Sequence, residues 1–144
     1  MAALGGEDDA MSTDAVALAR RSYERCLDAA EFFPAFYRGF FRRCPPAERL
    51  FAQTDFARQH KLLRHAIGLL FSYAAHPAAE PNVLTRLADR HGRRDLNILP
   101  EYYGAFVDAL VETAEQCDPE FSTEVGAAWR NAVAPGVGYM MSKS

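Results

Sequence analysis

Apolar residues recur along this chain at intervals of three and four, the spacing of a helix face. Val16, Leu18, Ala19, Tyr23 and Leu27 follow the capping run Ser12, Thr13 and Asp14 and predict a first helix. A second spans about Glu31 to Arg43, with Pro34 tolerated in its first turn and Phe33, Phe36, Tyr37, Phe40 and Phe41 on its inner stripe. Cys44-Pro45-Pro46 ends it, and a short turn brings in Leu50 and Phe51. A third helix runs from about Asp55, its N-cap, to Ala75, with Phe56, Leu63, Ala66, Ile67 and Leu70 as its stripe. After the loop of residues 76–82, Leu84, Leu87 and Ala88 mark a short helix that Gly92 ends. Pro100 opens the next, which carries Tyr103, Phe106, Val107, Leu110 and Val111 to about Cys117. Asp118-Pro119 reads as the N-cap and first turn of the last helix, which holds Phe121, Val125, Ala128, Trp129, Ala132 and Val133 before a kink at Pro135-Gly136. No segment alternates strictly as a strand does, so the expected class is all-α, with about six main helices.

The stripes are interrupted by a few polar residues. At 100° per residue, Leu84 lies about 20° and Leu87 about 40° from His91, so the imidazole shares their inward face. Two readings are open for it, a core histidine bonded to a carbonyl or a metal ligand. On the third helix Gln59 lies about 40° from Leu63, His60 about 60°, and His65 nearly opposite, which makes Gln59 the inward residue and His65 a surface one. Tyr37 stands among phenyl groups, where its hydroxyl either reaches the surface or a carbonyl, or faces a ligand.

Composition narrows the classes. The 144 residues suit one core, and 49% of them are hydrophobic and 12% aromatic. Residues 1–12 are small, polar and acidic and are expected to form a flexible tail before a domain over residues 13–144. Sixteen basic and nineteen acidic residues leave a net charge of −3, which points away from nucleic acid and anionic membranes. No apolar run approaches the ~20 residues of a membrane span and no signal peptide opens the chain, so the cytoplasm is expected. Cys26, Cys44 and Cys117 match neither a disulfide framework nor a zinc site, and no C-x-x-C-H occurs to attach haem covalently.

In order and spacing, FYRGFFRRCPPAERLF, QHKLL and RHGRRDLNILPEYY resemble the globins. They are most similar to bacterial single-domain globins and to the haem domain of flavohaemoglobins. Tyr37 lies in an FY pair, Phe51 follows a proline turn, Gln59 precedes Leu63, and His91 comes next in order. The resemblance covers nearly everything after the first dozen residues. It implies a globin fold around haem b, with His91 as the proximal ligand to iron and Phe51 against the porphyrin face. Tyr37 and Gln59 fall on the distal side, and Leu63, Phe56, Tyr103 and Leu87 complete the lining. Arg58, Arg93 and Arg94 are candidates to pair with haem propionates, against a default of solvated charges.

The function so implied is reversible binding of O₂, with NO or CO as other ligands. The alternatives are an NO dioxygenase and a gas sensor. Flavohaemoglobins carry an FAD- and NADH-binding reductase after the globin. None is encoded through Ser144, so a dioxygenase here is expected to use a separate reductase. Their haem domain also has a glutamate on the last helix that, with a tyrosine matching Tyr103, makes the proximal histidine more basic. The matching segment here is GVGYMMSKS, so a weaker push toward peroxidase-like chemistry is expected.

Overall fold

The computed structural model of the chain describes residues 2–91 and 99–143, with side chains over 14–90 and 99–143. The described residues form seven α-helices and a short 3-10 turn, and no strand. The order is α1 (Ala2–Leu27), α2 (Phe32–Arg43), α3 (Pro45–Glu48), the turn Arg49–Phe51, α4 (Phe56–Ala75), α5 (Thr85–His91), α6 (Pro100–Cys117) and α7 (Thr123–Ser142). The all-α expectation is met. None of the described helices is long and apolar enough to cross a membrane.

Local chemistry accounts for most of the boundaries. Asp55 caps α4 by accepting from the N–H groups of Ala57 and Arg58, and Pro100 occupies the first turn of α6. Two boundaries differ from expectation. Helix α1 begins at Ala2 rather than near Ser12, because elongating a formed helix through residues such as Ala2, Ala3, Leu4 and Glu7 costs far less than starting one. The N-cap of α7 is Ser122, whose hydroxyl accepts from Val125 N–H, and not Asp118. Asp118 is diverted by a stronger set of partners at the end of α6. Its carboxylate accepts from Ser22 Oγ at 2.6 Å, Arg25 Nε at 2.6 Å, Arg25 Nη2 at 2.9 Å and Glu120 N at 2.8 Å.

The core is built on three packed pairs, α1 with α7, α4 with α7, and α2 with α6. Trp129 of α7 is fully buried, and its indole N–H donates to Ser22 Oγ at 2.9 Å, joining α7 to the α1–Asp118 cluster. On α2 it is Phe32, not Phe33, that is fully buried, so the helix is rotated slightly from the expected stripe. Helix α7 runs through Pro135 as one element. Beside it Gly136 lets α7 approach α4 and α5, since a Cβ there would fall 2.6 Å from Leu70 Cδ2 and 3.1 Å from Leu84 Cδ1. The end of α7 also holds the loop before α5. Tyr139 Oη donates to Glu80 Oε1 at 2.7 Å and lies 3.3 Å from Thr85 Oγ1, and Lys143 pairs with Glu80.

Candidate functional site

Tyr37 sits in the middle of α2 and is almost wholly buried. Helical spacing places Phe36 and Phe41 beside it on the same element, with ring centroids 5.0 and 5.8 Å away. The proline-started α3 and the 3-10 turn then fold Phe51 back to 5.6 Å from the phenol ring. Helix α4, starting at its Asp55 cap, adds Phe56 at 5.5 Å and His60 at 5.8 Å. Three elements, α2, the 3-10 turn and α4, therefore surround one phenol with rings, most in the tilted or edge geometries that favour aromatic pairs.

Polar groups converge in this apolar cluster at one place. The Gln59 side chain lies close enough to the Tyr37 hydroxyl to act on its ionisation. Burial pushes the phenol up to about 12, and the nearby Gln59 amide acts in the opposite direction. At neutral pH Tyr37 is a protonated, desolvated donor.

The other expected residues fall as follows. Leu63 is buried one turn beyond Gln59, Leu87 is half-buried on α5 against the core, and Tyr103 is buried in the first turns of α6. His91 is the last residue of α5, and its side chain lies outside the described residues, as do Arg93 and Arg94. Arg58 is exposed and His65 lies on the surface. His60 was borderline on angle, yet it stacks against both Phe33, at 5.6 Å and 20°, and Tyr37, at 5.8 Å and 19°. A 60° offset on an isolated helix did not reveal this, because the rings that receive His60 belong to α2.

Phe51 is half-buried and Phe56 is 37% exposed although both rings touch Tyr37, so apolar surface is left open beside the one polar pair. Helix α5 packs on α7, and α4 packs on α7 and α1, while α4 and α5 share no extensive interface among the described residues. Ring faces with one buried phenol and a half-buried amide beside it, between helices that do not close on each other, fit a planar apolar group with a polar pole on one side.

Comparison with known proteins agrees with this architecture. A family model described as Globin matches residues 34–140. Among solved structures, the chain is similar to protein PA3967 of Pseudomonas aeruginosa PAO1, described as structurally highly homologous to a human hemoglobin. The two are 33% identical, with a TM-score of 0.84 over 90% of this chain and 97% of that one. No curated protein matches the chain.

Proposed function

This chain belongs to the globin family, and from that membership we propose that it is a haem-b protein that binds O₂ reversibly between a proximal His91 and a distal Tyr37–Gln59 pair. The observation that supports this reading is the buried phenol, close to an amide and ringed by aromatic side chains. Haem supplies a ferrous iron whose open position takes a diatomic gas.

The residues of the chain do the rest. His91 ends its helix just before Gly92 and would hold the iron through a ring nitrogen. Phe51 and Phe56 would cover the porphyrin face, and Leu63, Leu87 and Tyr103 would complete the apolar lining. Tyr37 would donate its hydroxyl hydrogen to a ligand that carries partial negative charge, with the Gln59 amide close by on the same side. Since Tyr37 is buried among apolar rings, with Gln59 half-buried beside it, such a bond is worth more here than in water. Ligands that gain little charge, CO among them, profit less, so the pocket favours O₂. Cys26, Cys44 and Cys117 are all free, which suits a reducing cytoplasm.

Absorption spectra of the purified protein in ferric, ferrous and CO-bound forms test the reading. Each form is expected to show the bands of a histidine-ligated haem b. His91→Ala is expected to lose that ligation. A His91→Ala protein purified in good yield with a full complement of normally ligated porphyrin would overturn the assignment.

A further inference from the structure

His60 stands in the second turn of α4, half-buried at the edge of the Tyr37 cluster. Its imidazole lies nearly parallel to two rings of α2 at once, Phe33 at 5.6 Å and 20° and Tyr37 at 5.8 Å and 19°. Those two residues are four apart, so one turn of α2 presents both rings on one side, where a single imidazole from α4 meets them. The other rings around Tyr37 meet it differently. Phe36 and Phe56 stand edge-on at 79° and 74°, and Phe41 and Phe51 are tilted at 39° and 58°.

What each neighbour is fastened to decides which of them can hold the phenol. Phe36 and Phe41 belong to α2 and move with Tyr37. Phe51 and Phe56 are the rings with open apolar surface beside them, the first half-buried and the second 37% exposed. His60 comes from another helix and is itself held. Phe33 stacks on it, and α4 is fixed by its Asp55 cap and by Leu63 and Ile67, which are buried in the core. The conjugated O–H of a phenol lies in the plane of its ring, and a hydrogen bond weakens steeply as its angle falls toward ~120°. A partner that fixes the ring plane therefore fixes where the hydroxyl donates.

We propose, in an inference that rests on the distal reading of Tyr37, that His60 is a positioning residue. Its stack on Phe33 and Tyr37 sets the plane of the phenol, and so the direction in which the hydroxyl donates, while the imidazole itself does not touch the bound gas. The position calls for a flat ring. Imidazole suits a half-buried one, because its body can stack while a nitrogen meets water.

Variants of the full-length, haem-loaded protein separate positioning from other roles. His60→Leu keeps apolar bulk without a flat ring, His60→Phe restores the ring without a nitrogen, and Phe33→Leu removes the ring that holds His60. Two readouts are compared, the C–O stretching frequency of the CO complex, which senses a donor at the ligand, and the rate of O₂ release. His60→Leu is expected to move the C–O stretch toward its value in Tyr37→Phe and to speed O₂ release by about two- to ten-fold, the worth of one aromatic contact. Phe33→Leu is expected to shift both in the same direction by less, and His60→Phe to return both close to wild type. In a Tyr37→Phe background, His60→Leu is expected to change neither further, since it acts through the phenol. An unchanged C–O stretch in both His60→Leu and Phe33→Leu would overturn the proposal. So would a His60→Phe protein that behaves as His60→Leu does, which would make the imidazole itself a donor to the ligand, or additive effects in the double variant. If Tyr37→Phe alone moves neither readout, the distal reading falls and this inference with it; if Tyr37→Phe moves both and His60→Leu neither, this inference falls by itself.

Discussion

At Tyr37 two opposing influences set the chemistry. Burial makes ionisation costly and the amide of Gln59 partly offsets that cost, leaving the phenol with a pKa of about 12. A phenol raised this far keeps its proton through the whole physiological range and loses it only as pH approaches that value. The proposed O₂ release rate should therefore be flat from about pH 7 to 10 so far as Tyr37 is concerned. Removing the hydroxyl takes away a bond worth ~1.5–3 kcal/mol if the ligand carries charge, at ~1.4 kcal/mol per tenfold change. Tyr37→Phe should accelerate O₂ release by about ten-fold or more, measured by stopped-flow displacement with CO, and an unchanged rate would refute the distal role. Tyr37 and Gln59 were both recognisable in the sequence as polar interruptions of apolar stripes. Their closeness to each other was not, since it depends on how α2 and α4 are docked.

Among the elements, α7 carries the most neighbours, packing on α1, α4 and α6 and touching α5. The Pro135-Gly136 pair reads in sequence as a kink, because proline removes a helix hydrogen bond. In the fold the helix continues, and the glycine serves a close approach instead. Gly136→Ala would press a methyl on Leu70 and Leu84, both buried, and overpacking of this kind costs ~1–3 kcal/mol. Gly138, two residues on, has open space at the same distance. There the substitution by alanine should gain up to ~1 kcal/mol from helix propensity alone. Urea unfolding of the two variants should move in opposite directions, and a shared direction would show that Gly136 is not a packing residue. The same contrast explains the cap of α7. Asp118 and Ser122 are both capping residues, and choosing between them requires knowing what else claims Asp118.

For the molecule as a whole, Asp118 is the point at which α1, α6 and α7 meet. The hydrogen bond from Arg25 is the main reason its pKa is held near 2 rather than 3.8, with Ser22 and the Glu120 N–H adding to the effect and burial opposing it. A carboxylate lowered on folding stabilises the fold above its unfolded pKa, and that contribution is lost as pH falls from about 4 to about 2. The wild-type melting temperature should drop through that window. Asp118→Asn should be destabilised at pH 7 by ~1–3 kcal/mol, because it leaves buried donors poorly met. Its melting temperature should also fall less steeply between pH 4 and 2, and an equally steep fall would assign the acid sensitivity to other carboxylates.

The sequence by itself determined the helical class, the approximate extent of most helices, and the polar residues Tyr37 and Gln59 that share an inward face with apolar ones. These follow from residues three and four apart on one chain segment, where backbone geometry leaves little choice. Only the tertiary structure decided which rings enclose Tyr37, that His60 joins them, and that Gly136 rather than a kink shapes α7. It also decided that Asp118 answers to Ser22 and Arg25, 96 and 93 residues away. Such pairings depend on how helices are docked. Docking is the sum of many weak contacts between distant segments, which no local spacing encodes.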